Sequence, residues 1–323
     1  MRGLHHGQEI ALFFNAFGVK GILGIFLSSI LISFVIYKVL NISKNNNINS
    51  YEEFSKKIIK TNNKFIKNII NNIVNIFLII SFYVMVAGII AFLKQEFGIN
   101  NIIFNILIAI ILYIVFMNSI EGIVKINSLL IPILMLLVLI LGYKNMDNIF
   151  IIKENILIKN IMAKNWFLSA LIYSSYNSIT LIPILITLKK YIKKDKDVKT
   201  ISILSGTIII ILAFIIYQLL NTIQINGSNL EIPIIFVAQQ IGNIYKYLYG
   251  FVILAAIFTS AISSGYAVLQ NISKTKKEYK LFAILICTIS ITAGSFTFSS
   301  LVSFLYPIFG YLGIAQILSL ILF

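Results

Sequence analysis

Two stretches of this chain carry side chains able to do chemistry where such side chains are rare. The first is Gly7-Gln8-Glu9, just ahead of the apolar residues Ile10 to Phe14. The second is Tyr173-Ser174-Ser175-Tyr176-Asn177-Ser178-Ile179-Thr180, followed by Leu181-Ile182-Pro183, in the middle of an apolar run from Trp166 to Leu188. A carboxylate in hydrocarbon is costly unless it pairs, takes up a proton or meets a cation, so Glu9 is a candidate proton or cation site. The second stretch holds seven hydroxyl or amide side chains, which hydrocarbon tolerates only where they face protein or a water-filled cavity. One reading is a helix interrupted near Ser175 to Ser178, with free N–H and C=O groups aimed at a solute or ion near mid-membrane. The other is a kinked helix whose hydroxyls bond their own i−4 carbonyls, while Asn177 and the tyrosines join neighbouring helices.

Other reactive residue types point to no chemistry. His5 and His6 are adjacent, so on a helix they cannot both face one metal. Cys287 stands alone in an apolar segment, which excludes a disulfide or a thiolate metal site. No phosphate-cradling loop, nucleophile with its base, or metal cluster is present, so the expectation is no enzyme and no cofactor.

The elements that must position these residues are transmembrane helices. Of 323 residues 59% are hydrophobic, and the mean hydropathy is +0.95, outside the range of soluble domains. Apolar runs of about twenty residues fit spanning helices, where a membrane barrel would show short alternating segments. The class is therefore all-α transmembrane. The net charge of +15 is carried almost wholly by lysine between the runs, with Arg2 the only arginine. That pattern reports orientation rather than a nucleic-acid partner; the partner it implies is the lipid bilayer.

In order, the sequence predicts a half span over Gly3 to Phe14, then spans at about 22–39, 69–93, 102–120, 126–142, 166–188, 201–220, 247–269, 281–295 and 302–323. Short amphipathic pieces are expected from Tyr51 onward and over Pro233 to Ile241, and an interfacial segment at Ile149 to Ile152. Glu96, Glu121 and Lys125 fall at span ends, as snorkelling or interfacial charges do. With the loop from Lys38 to Lys67 inside, inner segments collect 18 lysines against 7 outside, as the positive-inside rule requires. Two halves then emerge in opposite orientation: a first repeat over about 1–142, a linker over 143–165, and a second repeat over about 166–323. Each half opens on an interrupted segment, which is the sequence signature of an inverted-repeat transporter.

Several motifs, in this order, resemble the YkvI family of bacterial membrane proteins over essentially the whole chain. They are Gly3-x-x-x-Gly7-Gln8-Glu9-Ile10, Val84-Met85-Val86-Ala87-Gly88, Ile126-Asn127-Ser128-Leu129-Leu130-Ile131-Pro132, Tyr173-Ser174-Ser175-Tyr176-Asn177 and Leu305-Tyr306-Pro307-Ile308-Phe309-Gly310-Tyr311. The resemblance implies a branch of the amino acid, polyamine and organocation transporter superfamily, with a LeuT-like 5+5 inverted repeat. Family members carry a longer first helix, so it also implies that the first half of helix 1 is missing here, through a misassigned start or a decayed gene in preference to a copy that works differently.

The function implied is secondary transport of a small organic solute, amino acid-like or amine-like, by alternating access in a bacterial cell membrane. The alternative is a non-transporting scaffold or a decayed fragment. Solute contacts are expected from Gly7, Gln8, Glu9, Tyr173, Ser174, Ser175, Tyr176 and Asn177. The resemblance carries sodium coordination to Thr259 and Ser260, a hydroxyl pair with Ser263-Ser264-Gly265 one turn later. Coupling is to sodium or protons; oligomeric state, substrate and direction are not specified.

The orientation yields a direct test. In a Cys287→Ala background, Asn155→Cys and Asn226→Cys should react with an impermeant thiol reagent on intact cells, while Lys56→Cys and Lys193→Cys should not. The opposite pattern would reverse the orientation and undo the inverted halves.

Overall fold

The computed structural model describes residues 7–48, 51–59, 64–99, 101–118, 121–146, 163–189, 192, 194–222 and 231–323, and among these no strand occurs. The beginning of the half span with His5 and His6, the segment Ile149 to Ile152, Asn155, Lys193 and the loop around Asn226 lie outside the described residues. The helices are α1 (Gln8–Phe13), α2 (Lys20–Asn45), α3 (Tyr51–Ile59), α4 (Lys64–Phe97), α5 (Ile102–Met117), α6 (Glu121–Lys144) and α7 (Trp166–Leu188). Then come α8 (Asp195–Thr222), α9 (Pro233–Ile241), α10 (Asn243–Ile272), α11 (Lys276–Ser290) and α12 (Phe298–Leu322), with 3-10 turns at Asn15–Phe17 and Ile291–Ser295.

Among the described residues seven helices are long and apolar enough to cross a membrane: α2, α4, α7, α8, α10, α11 with its 3-10 turn, and α12. The remaining two of the nine expected full spans are the shorter apolar helix α5, Ile102–Met117, and α6, whose apolar stretch runs over Leu129–Lys144. At 16 residues, α5 extends only ~24 Å, less than the roughly 30 Å of a hydrocarbon core.

The expected interruption of α7 is not there. This helix runs unbroken from Trp166 to Leu188, with Pro183 inside it, and its polar centre explains why. Ser174 Oγ donates to Ala170 O at 2.7 Å, Ser175 Oγ to Leu171 O at 2.6 Å, Asn177 Nδ2 to Tyr173 O at 2.9 Å and Ser178 Oγ to Ser174 O at 2.7 Å. Each short polar side chain is satisfied by the carbonyl one turn back, so the helix needs neither a break nor water to carry them. The paired interruptions that suggested inverted halves thus reduce to one, at α1.

Packing centres on α7, which lies between α2 and α12; α4 packs along α10, and α2 along α8. The α7–α12 seam is close because α12 presents glycine to the α7 backbone. A Cβ on Gly310 would collide with Ile172, and one on Gly313 would stand 2.5 Å from Ser175 O. Between lipid-solvated helices, where tails are as apolar as leucine, such close approach supplies the dispersion contact that holds helices together. Across α2 and α8, Ser33 Oγ adds a hydrogen bond to Ser202 O at 2.7 Å.

Gly313→Val should therefore force the seam apart at a cost of about 1–3 kcal/mol, lowering the thermal unfolding midpoint of the detergent-solubilised protein. Gly250→Ala, whose Cβ would meet Phe92 at an ordinary 3.5 Å, should leave the midpoint unchanged. Equal midpoints for Gly313→Val and wild type would show that the seam yields.

Candidate functional site

The short helix α1 is set by its flanks. Gly7 occupies the left-handed region at φ 77, and a Cβ there would stand 2.8 Å from Ile234 Cγ1, so backbone freedom and closeness both call for glycine. After Phe14 the chain turns through Asn15–Phe17 into α2, where Gly21 packs directly on the Phe14 carbonyl. Asn15 Nδ2 ties this corner to α8 by donating to Tyr217 O at 3.0 Å and Asn221 Oδ1 at 2.8 Å.

All six residues of α1 are buried. Glu9 is 4% exposed and accepts a hydrogen bond from the Tyr176 hydroxyl. Around that pair stand rings from three helices. Phe13 stacks on Tyr176 at 5.6 Å and meets Tyr173 edge-on at 5.5 Å, Phe14 meets Tyr173 at 4.9 Å, and Tyr306 of α12 lies 5.0 Å from Tyr176. A carboxylate and the negative faces of aromatic rings attract cations and repel anions. The chemistry on offer is thus recognition of a positive charge, or carriage of a proton by Glu9.

The predicted residues divide. Gly7, Gln8, Glu9, Tyr173 and Tyr176 come together around α1. Ser174 and Ser175 are turned to backbone carbonyls of their own helix, and Ser174 Oγ also lies 3.4 Å from Ser28 O of α2. Asn177 likewise bonds back to Tyr173 O. On α10, Thr259 Oγ1 donates to Ala256 O at 3.1 Å, and the Ser260 carbonyl accepts from Ser264 Oγ at 2.9 Å; Ser264 also faces Ser81 of α4 at 3.3 Å. Thr259 and Ser260 are both buried.

Sequence reasoning missed the ring contributed by Tyr306, although Tyr306-Pro307 inside an apolar span was a visible signal. It also missed the contacts that bring the residues leading into α9 to α1 and α4. Gln8 Nε2 donates to Glu231 O at 3.0 Å, while Gln95 of α4 brackets the next residue, accepting from Ile232 N at 2.9 Å and donating to Ile232 O at 3.3 Å. The Glu231 carboxylate accepts from Ser299 N at 2.9 Å, in the first turn of α12, where a negative charge is favoured by the helix dipole. Next to Gln95, Glu96, expected as an interfacial charge, pairs with Lys246 at 3.1 Å. The helix α9 itself buries Ile234, Ile235, Val237 and Ala238.

The opposite, lysine-rich side is less closed. A cavity of about 280 Å³ lies between α3, α4, α7 and α12, lined by residues including Phe54, Ile58, Val74 and Ile179, the last of these one turn beyond Tyr176 on α7. At its rim Gln316 Nε2 donates to the Tyr51 hydroxyl at 2.9 Å. Burial pushes the Tyr51 phenol up to about 12, partly opposed by that bond, so it stays neutral.

No family model matches the chain. Its sequence is 25% identical over 328 residues to the membrane protein YkvI of Bacillus subtilis (strain 168), covering 98% of this chain and 90% of YkvI. It is also 26% identical over 220 residues to YyaD of the same organism, covering 67% of this chain and 63% of YyaD. The first match extends over nearly the whole chain, as the motif resemblance implied.

The contacts at the start of α9 predict a measurable opening. In a Cys287→Ala background Ile235→Cys, at a position 1% exposed, should react slowly with a water-soluble thiol reagent. Adding Glu231→Ala and Gln95→Ala removes hydrogen bonds worth about 1 kcal/mol each, so labelling should accelerate roughly tenfold or more. An unchanged rate would show that apolar burial alone holds α9 shut.

Proposed function

We propose that this chain, a membrane protein of the YkvI family, is a secondary active transporter of a small organic solute bearing an amine, in a bacterial cell membrane. It works by alternating access with a LeuT-like 5+5 inverted repeat and is coupled to protons or sodium. The observation that carries the reading is Glu9: a buried carboxylate on a six-residue helix, held by Tyr176 and walled by aromatic rings. Buried ionisable groups in membrane segments mark solute or ion pathways, and a short helix beginning at a left-handed glycine leaves backbone groups free near the site. The hydrogen-bonded start of α9 on one side and the cavity on the other fit a protein whose site communicates with one face at a time.

Support for two related halves comes from which helices touch. Exchange α1 with α7, α2 with α8, α3 with α9, α4 with α10, α5 with α11 and α6 with α12. The pairings α2–α8, α4–α10 and α5–α11 then map onto themselves, α10–α6 maps onto α4–α12, α10–α5 onto α4–α11, α6–α8 onto α12–α2, and α2–α7 onto α8–α1. Of the short helices, α9–α10 and α9–α6 map onto α3–α4 and α3–α12, whereas α8–α9 finds no comparable α2–α3 counterpart. The strong α7–α12 pairing lacks an equal counterpart because the partner of α7 is the six-residue α1.

The second reading, a non-transporting membrane scaffold, draws on the unbroken α7, whose polar side chains are satisfied within the helix. Uptake into proteoliposomes separates the two. With a radiolabelled amine or amino acid panel and imposed proton or sodium gradients, Glu9→Gln should abolish proton-driven uptake and spare sodium-driven uptake. Thr259→Ala with Ser260→Ala should do the reverse. Uptake unaffected by either change would remove these residues from the pathway, and no gradient-driven uptake of any panel member would favour the scaffold.

A further inference from the structure

Away from Glu9, a second cavity of about 410 Å³ opens where the ends of α5 and α10 meet the start of α11. Its rim carries Lys274, Lys276 and Lys280. Among the described residues the acidic side chain of this stretch is Glu278, and its carboxylate is already committed to Lys274 N at 2.7 Å, so the three rim lysines outnumber it. Deeper in, the Ser273 Oγ is buried without a hydrogen-bond partner, and the Tyr266 and Tyr279 rings pack edge to face at 6.3 Å. Tyr279 is anchored by donating to Phe116 O at 3.1 Å, so the aromatic wall is rigid.

The surroundings say what kind of anion fits. The next turns of both flanking helices expose aliphatic side chains outward, Leu281, Ile284 and Leu285 on α11 and Ile110, Ile111 and Ile114 on α5. The cavity thus sits at the head of a lipid-facing surface, on the lysine-rich side, with amphipathic tyrosines at the level where headgroups lie. We propose that this cavity between α5, α10 and α11 is a binding site for the phosphodiester headgroup of an anionic phospholipid, its acyl chains lying along α5 and α11. The lysines supply the charge, Ser273 a hydroxyl donor, and the tyrosine wall the boundary between headgroup and chain. A free phosphate would meet the same lysines but would gain nothing from the exposed aliphatic surface. Basic recesses between transmembrane helices on the inner side recognise lipid in this way.

The test is native mass spectrometry of the purified, delipidated chain in neutral detergent, titrated with phosphatidylglycerol, with phosphatidylcholine and with glycerol phosphate as the headgroup alone. Each lysine near a membrane surface contributes roughly fivefold to binding of anionic lipid. Phosphatidylglycerol should therefore bind at least tenfold more tightly than phosphatidylcholine, and the variant Lys274→Gln, Lys276→Gln, Lys280→Gln should lose on the order of 100-fold. The single change Lys276→Gln should lose roughly fivefold, and Lys194→Gln, Lys196→Gln, Lys199→Gln, with equal charge removed at the start of α8, should lose none. Equal losses in the two triple variants would reduce the effect to general surface charge and overturn the site. So would the absence of a preference for phosphatidylglycerol, and glycerol phosphate binding as tightly as the lipid would assign the cavity to a soluble phosphate instead.

Discussion

The hydrogen bond from Tyr176 to Glu9 sets the terms for the rest of this molecule. A carboxylate without water needs donors and a defined charge state, and the hydroxyl that meets it comes from the middle of a different helix. For that pair to form, α7 must be straight enough to deliver Tyr176, α1 must start at a glycine tight against Ile234, and α12 must come close enough to lay Tyr306 over the ring. The glycines at 310 and 313 permit that last approach. Site and scaffold are therefore one packing problem, since the seam that holds α7 and α12 together also builds the aromatic wall.

Hydroxyl groups serve the fold here more than the site. Ser174, Ser175 and Ser178 cap carbonyls of their own helix, Ser169 Oγ donates to Phe13 O at 2.7 Å and Ser33 Oγ reaches α8. Being small, they let backbones approach; being polar, they satisfy carbonyls that hydrocarbon would leave exposed. The same economy holds at the corner after α1, where Asn15 secures a non-helical turn to Tyr217 and Asn221. Irregular backbone inside a membrane protein persists where side chains from other helices attend to it.

The two sides of the candidate site are unlike. The start of α9 is secured by hydrogen bonds from α4 and α12, and the helix buries an apolar face, whereas the opposite cavity is lined largely by aliphatic side chains with an amide-to-phenol bond at its edge. Polar latches can exchange partners with water at little net cost, because a typical hydrogen bond contributes only about 1 kcal/mol. Apolar packing yields without directional loss.

Much of this was legible in the sequence because hydropathy runs and charge placement act locally. The bounds of α7 and α9, the amphipathic α3 and the membrane class follow from residue types and their spacing alone. What the sequence could not decide was the conformation of the Tyr173 to Thr180 stretch, since the same serines and asparagine suit an interrupted helix and one that bonds back to itself. In the structure they bond back to α7 itself, which packs between α2 and α12. Nor could it show that Gln95 meets Ile232, that Ser299 meets Glu231, or that Tyr306 faces Tyr176: these pairings join residues more than sixty positions apart and depend on how the helices cross. Local chemistry determined which residues had to be satisfied, and tertiary packing decided by which partner.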